Sequence, residues 1–202
     1  LVWNKNLANT DVFVSSSPHI IGGEAYWAGL RDALARDPST GIYWNPQTRQ
    51  IAKDGLAPET LQALKGRVKI LQVNEPEADE MVRNYIHADG NIDRLQNLVH
   101  AHWTVVTQGK NGVTAYENGR KIEQPAAEHP DWIIKGWVGE DYCEGMDVGC
   151  GDMFMTTLIM QSSLPIDLAL KQAALMGKIQ YHHPGSNLSS VRNFRPVQPT
   201  MQ

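Results

Sequence analysis

Apolar positions recur along the chain in two rhythms, and their alternation predicts the elements. Residues 11–15 form a short apolar run that stops at Ser16-Ser17-Pro18-His19, a strand leading into a polar loop. Residues 22–36 change to helical spacing, with Tyr26, Leu30, Ala33 and Leu34 on one face and Arg31, Asp32 and Arg36 elsewhere. Pro38-Ser39-Thr40-Gly41 ends that helix, and Ile42-Tyr43-Trp44 reads as the next strand. The pattern continues with a short helix over 58–64, a strand over 68–73, and a helix from Asn74 to about Ile86. A helix over 92–99, a strand over 104–107 and a turn over 109–112 follow. Residues 113–116 and 121–123 flank Asn118-Gly119, the strongest short hairpin signal in the chain. An apolar helix starts near residue 150, an amphipathic one runs over 164–179, and residues 184–202 form a polar, proline-bearing tail.

Strands that alternate with helices at this spacing imply parallel βαβ units with helices covering a sheet, to which the hairpin adds an antiparallel portion. With 202 residues and no internal repeat or linker, the pattern predicts a single α/β domain over 1–202. Charged residues at 20% and hydrophobic ones at 42% match an ordinary globular domain, not a disordered chain. The net charge of −4 argues against nucleic acid as a partner. No apolar stretch approaches the roughly 20 residues that span a bilayer. Cys143 and Cys150 alone build neither a zinc pattern nor a disulfide scaffold, so a reducing, cytoplasmic setting is expected. The opening Leu-Val-Trp-Asn-Lys-Asn has no initiator methionine, which reads as a piece of something longer.

Candidate chemistry concentrates in three polar clusters, each at a strand's carboxyl end or a helix start: 74–77, 107–112 and 149–152. Ligands of open α/β sheets bind beyond the carboxyl ends of the strands. In Gly149-Cys150-Gly151-Asp152 a glycine turn opens a helix whose first N–H groups point along the axis and favour an anion. A carboxylate beside an anion site makes sense if Asp152 removes a proton from a nucleophile while the amides hold developing charge. On spacing alone, a plain glycine-rich helix start carrying Asp152 is the simpler reading. Asn74 before Glu75-Pro76-Glu77 is equally a good N-cap, with Pro76 in the first turn and acids favouring the dipole. Residues 107–112 also fit an ordinary strand-to-turn connection. Cys150 at a helix N-terminus leaves a reactive thiol as an alternative. His182-His183 reads as a pair of surface histidines, and the scattered tryptophans as core or rim packing.

Taken together and in order, these clusters resemble the ribokinase-like (PfkB) carbohydrate and nucleoside kinases. Gly149-Cys150-Gly151-Asp152-Met153-Phe154 matches the core of that family's carboxyl-terminal signature. Asn74 and Glu77 match its Asn-x-x-Glu motif, and Thr107, Gly109 and Gly112 its Thr-x-Gly-x-x-Gly motif. The resemblance spans about residues 9 to 190 and implies a three-layer α/β/α ribokinase-like, Rossmann-like sandwich. It implies a phosphotransferase using ATP and Mg2+ on an alcohol group of a sugar or nucleoside-like substrate. Asp152 would be the general base, and the N–H groups of Gly149, Cys150 and Gly151 the anion hole. Asn74 and Glu77 would order magnesium, while Asn74, Thr107, Gly109 and Gly112 would lie at the ATP.

The chain departs from the family at two places. Met146-Asp147-Val148 stands where the family has Asp-Thr-Thr, which leaves K+ beside that loop an open question. The family's amino-terminal third, with its glycine pair, sugar-binding acid and β lid, has no counterpart before Leu7. The expectation is therefore an ATP-side portion of such a kinase with an exposed sheet edge. The alternative is a truncated or degenerate relative that binds a nucleotide or partner without catalysis. A dinucleotide-dependent oxidoreductase fits less well, because the glycine turn such a fold needs does not follow the first strand.

Overall fold

The computed structural model of the protein describes residues 11–15, 23–46, 51, 56–86, 92–128, 134–135 and 149–182. Six strands form one sheet in chain order: β1 (Val12–Ser15), β2 (Ile42–Asn45), β3 (Val68–Asn74), β4 (Trp103–Thr107), β5 (Val113–Glu117) and β6 (Arg120–Gln124). The first four are parallel, and β5 and β6 turn back antiparallel through the Asn118-Gly119 hairpin. Asn118 and Gly119 both have positive φ, the conformation a tight two-residue hairpin requires.

Helices pack on both faces, which gives the expected three layers. On one face lie α1 (Glu24–Arg36), α2 (Pro58–Leu64), α3 (Glu75–Met81) and α4 (Gln96–Val99). Their Trp27, Leu30, Leu64, Met81 and Val99 close over Val14, Trp44, Leu71, Val73 and Val106 of the sheet. On the other face α5 (Cys150–Met160) and α6 (Ile166–Tyr181) set Phe154, Leu158, Ala169 and Ala173 against Tyr43, Ile70, Val105 and Ala115. Residues of β2 to β4 are therefore apolar on both faces, as strands covered on both sides must be.

Boundaries moved by a residue or two where local chemistry overrides the apolar pattern. α1 starts at Glu24 and its buried stripe centres on Trp27, Leu30 and Leu34, leaving Tyr26 and Ala33 at its margin. The helix that begins after Asn74 widens into a π-turn over Val82–Ile86. The segment read as one helix over 92–99 is a 3₁₀ turn (Ile92–Arg94) followed by the single turn α4, ended by His100 in the left-handed region. α6 starts at Ile166 because Pro165 is its N-cap, and it runs on to Tyr181.

β3 carries a bulge. Val68 pairs with Ile42 and Ile70 with Tyr43, so Lys69 is an extra residue on that strand. The bulge reverses the phase of the strand: Val68 faces the α1–α4 layer, whereas Ile70 faces α5 and α6. Lys69 Nζ donates to Asp11 Oδ2 at 2.6 Å and lies 5.9 Å from the centre of the Tyr43 ring. The Gly41 N–H and the Tyr43 hydroxyl also donate to Asp11. A Cβ on Gly41 would fall 2.4 Å from Lys69 Cε and 2.7 Å from Asp11 Oδ1, so a larger residue there would push the two side chains from their present places.

Burial alone would raise the Asp11 carboxyl, yet Lys69, Gly41 and Tyr43 together hold it below its ordinary value of 3.8. A depressed carboxyl stabilises the fold above its unfolded value and loses that contribution as pH falls through the folded one. Urea midpoints of the wild type should therefore drop on acidification below 3.8. The Asp11→Asn variant should lack that part of the drop; an identical acid limb in both proteins would rule the linkage out.

Candidate active site

The carboxyl edge of the sheet is built from three local devices. At the end of β3, Asn74 caps α3 through a reciprocal box: its side chain accepts the Glu77 N–H at 2.9 Å, and Glu77 Oε2 accepts the Asn74 N–H at 2.9 Å. Pro76 sits in the first turn, where its missing N–H costs nothing. Burial pushes the Glu77 carboxyl above its ordinary value; the Asn74 N–H pulls it back and the charge of Glu80 adds to the rise. The N-cap reading of Asn74 is thus realised, and the same bonds fix the Glu77 carboxylate at the strand's end.

One strand over, Thr107 is the register partner of Asn74, and its hydroxyl donates to the Val73 carbonyl at 3.3 Å. A single 3₁₀ turn (Gly109–Asn111) then reverses the chain into β5. It closes with Gln108 N–H to Gly112 O at 2.8 Å and Gly112 N–H to Gly109 O at 3.1 Å. Gly112 has φ of 95°, and a Cβ there would lie 2.3 Å from the Gln124 carbonyl and 2.8 Å from the Ala126 nitrogen. No other residue fits at that crossing. Gly109 is also left-handed (φ 55°) but has open space around it among the described residues.

The third device is the start of α5. Gly149 is the N-cap in the left-handed region (φ 82°), which glycine adopts without the Cβ penalty. The helical ladder begins with Met153 N–H to Gly149 O at 2.9 Å, so the amides of 150–152 lie ahead of it. A Cβ on Gly151 would meet nothing within 4 Å among the described residues. Glycine in a helix costs about 0.5–1 kcal/mol relative to alanine, so packing within those residues gives no reason for it. Asp152 follows on the first turn, exposed.

Two of them, the turn after β4 and the start of α5, meet at a cavity of about 680 Å³. Thr107, Gly109, Gly112, Cys150 and Gly151 line it, which brings together five of the residues singled out by sequence. Gly149, Asn74, Glu77 and Asp152 lie outside its lining. Cys150, Gly151 and Phe154 face the cavity, and at 100° per residue Asp152 falls on nearly the opposite side of α5. The helix start therefore stands between the cavity and the Asp152 carboxylate.

Sequence reasoning missed the far wall of this cavity. Ala174, Gly177, Lys178 and Tyr181 form it, a stripe at i, i+3, i+4 and i+7 of α6, joined by His182. His182 is buried, 6% exposed, with its ring edge-on to Tyr181 at 5.0 Å. That corrects the reading of it as a surface residue; its neighbour His183 lies outside the described residues. Gly177 was the available signal. A glycine inside an amphipathic helix is unusual, and here it faces the start of α5, where a Cβ would make ordinary contact with the Cys150 carbonyl at 3.7 Å. Lys110 and Lys178 give the cavity two cationic groups. Met146-Asp147-Val148 lies outside the described residues, and among those described no group of three or more His, Cys, Asp or Glu is arranged to hold a metal.

No protein-family model and no curated protein sequence matches the chain. Solved structures do. Adenosine kinase from Anopheles gambiae, in complex with P1,P4-di(adenosine-5) tetraphosphate, is similar over 93% of this chain and 54% of its own, at TM-score 0.64 and 16% identity. Ribokinase from Thermotoga maritima is similar over 76% and 46%, at TM-score 0.56 and 14% identity. Nucleoside kinase from Burkholderia thailandensis, in complex with inosine, is similar over 77% and 45%, at TM-score 0.55 and 19% identity. The chain spans about half the length of each.

The two kinds of glycine separate by experiment. Gly112→Ala should lower the unfolding free energy in urea titration by more than about 1–2 kcal/mol, because it meets both a left-handed backbone and a carbonyl. Gly151→Ala should leave stability unchanged or raise it by up to about 1 kcal/mol. Equal losses in the two would show that Gly151 serves internal packing after all. Six strands in this order, three layers and a glycine-opened helix at the sheet's carboxyl edge make the architecture of this chain the ribokinase-like fold.

Proposed function

We propose that the chain is the nucleotide-side portion of an ATP- and magnesium-dependent phosphotransferase acting on an alcohol group of a sugar or nucleoside-like substrate. The observation that carries this reading is the cavity itself, which joins the turn after β4 to the glycine start of α5. A nucleotide seated against Thr107, Gly109, Gly112 and the α6 stripe sends its phosphates toward the amides of Gly149, Cys150 and Gly151. Phosphoryl transfer demands positioning and charge stabilisation more than covalent chemistry. Helix-start amides and the two lysines supply both. The kinases of like fold support the reading, one of them solved with a ligand that carries two adenosines on a tetraphosphate.

Asp152, on the side of α5 away from the cavity, is the general base. It takes the proton of the acceptor hydroxyl while the amides hold the charge growing on the transferring group. Magnesium, when bound, neutralises part of the phosphate charge. Its donor set here fits: Glu77 is a carboxylate whose burial favours a nearby cation, and magnesium prefers few protein carboxylates with retained water. Asn74 holds Glu77 in place through the capping box.

The Asp152→Asn variant should lose about 10²–10⁴-fold in transfer rate. It should still bind magnesium-ATP in calorimetry as the wild type does. Undiminished turnover in that variant would remove Asp152 from the mechanism. Gly151→Val should lose nucleotide binding. The second reading, a nucleotide- or partner-binding module without catalysis, draws on the span of the chain, about half that of the matched kinases. It expects nucleotide binding with no transfer to any acceptor.

A further inference from the structure

The cavity carries a charge opposite to that of the chain. The protein has 22 acidic and 18 basic side chains, a net charge of −4, yet among the described residues Lys110 and Lys178 line the cavity and no Asp or Glu does. The two lysines stand on different walls. Lys178 is half-buried in the last turns of α6, one residue past Gly177, which faces the start of α5. Lys110 is exposed on the 3₁₀ turn after β4. The apolar part of the lining, Val113, Ala126, Ala127, Phe154 and Ala174, offers a nucleobase contact area without charge.

Among the described residues the Lys110 ammonium has neither an ion-pair nor a hydrogen-bond partner, whereas Arg31, Lys69, Arg120 and Lys121 each meet a carboxylate. Its backbone, by contrast, is braced. The Thr114 hydroxyl donates to Gln108 Oε1 at 3.0 Å, and Gln108 Nε2 donates to Glu75 Oε1 at 3.4 Å. The turn also closes on itself through Gln108 N–H to Gly112 O at 2.8 Å and Asn111 N–H to Gln108 O at 3.0 Å. Most exposed lysines are solvated surface groups. This one is set at a cavity by a turn tied to α3 and β5, and the carboxylate that contacts that turn, Glu75, is engaged by Gln108. An ammonium binds phosphate as a point charge, and more strongly beside a low-dielectric wall than in open water.

We propose that Lys110 is a specificity-determining residue for the phosphate donor, favouring a nucleoside triphosphate over the corresponding diphosphate. The inference rests on the phosphotransferase reading above and adds how the site tells its donor from its product. A triphosphate brings one more phosphoryl group, and more negative charge, into the cavity than a diphosphate does. The Lys110 ammonium therefore holds the donor more strongly than the nucleotide that remains after transfer, which eases product release. The apolar lining holds the base of both nucleotides alike and takes no part in this choice. Lys110 is a binding residue in this scheme; the proton of the acceptor still leaves to Asp152.

The test is calorimetric titration of the full chain, with magnesium present, by a non-hydrolysable ATP analogue and by ADP. Lys110→Met should weaken the analogue by about tenfold or more and ADP by clearly less, so that the ratio of the two affinities falls. Lys110→Arg keeps the charge and should restore most of that ratio. The urea midpoints of the three proteins should agree, because the Lys110 ammonium has no partner in the described fold. Added salt should weaken the analogue more in the wild type than in Lys110→Met. In the wild type, the Lys110 side-chain methylene resonances should move further with the analogue than with ADP, a readout that needs no variant. Equal weakening of both ligands in Lys110→Met, unchanged analogue affinity there, or equal movement of the Lys110 resonances with both would each overturn the proposal. Failure of the wild type to bind either nucleotide would instead overturn the phosphotransferase reading on which it stands.

Discussion

The pairing of β3 with β4 is the constraint on which the carboxyl edge depends. It sets Asn74 beside Thr107, and the following antiparallel pairing sets Thr107 beside Val113. Because side chains alternate strictly between faces, this register decides which polar residues end up on the α5–α6 side. A shift of one residue would send Gln72, Asn74 and Thr107 to the opposite layer and bring Val73 and Val106 to the site. Apolar burial holds the register in place. Ile70 and Val105 sit under α5 and α6, while Leu71, Val73 and Val106 sit under the other helices. The site is thus the last polar rung of a ladder whose earlier rungs are core.

Against that fixed edge, α5 and α6 act as one wall. Gly177 faces the Cys150 carbonyl and Phe154 across the seam between the two helices. The depth of the cavity follows from this helix-to-helix distance as well as from the loop after β4. The glycines then divide by cause. Gly112 answers to a backbone crossing and Gly149 to a left-handed cap, so the protein's own fold requires both. Gly109 is left-handed too, whereas Gly151 has neither a left-handed backbone nor a neighbour within 4 Å among the described residues.

Much of this was legible in the residues. Strand and helix order, the hairpin at Asn118-Gly119 and the start of α5 follow from local periodicity and turn chemistry. Five of the motif residues do meet at one cavity. What escaped was non-local. Nothing in the 164–179 pattern says which face of α6 meets the turn after β4, so Lys178 and Tyr181 were read only as part of an amphipathic helix. His182 was taken for surface because its burial depends on its place in the cavity wall, which the residues around it in sequence do not disclose. The Lys69 bulge hid β3's true phase in the same way, by placing Val68 and Ile70 on opposite layers.

The Asp11, Gly41 and Lys69 arrangement has a bearing on how this sequence can drift. Three positions, two just ahead of β1 and β2 and one in β3, share one small volume: the ammonium bonds the carboxylate, and both would have to shift for a side chain on residue 41. Replacing any one of the three disturbs the other two. Among descendants of this chain, the charged pair should therefore be inherited or lost as a unit. Larger residues at position 41 should accompany its loss and not precede it. The amino end of the sheet, far from any chemistry, would then carry a lineage marker as sharp as the site's own.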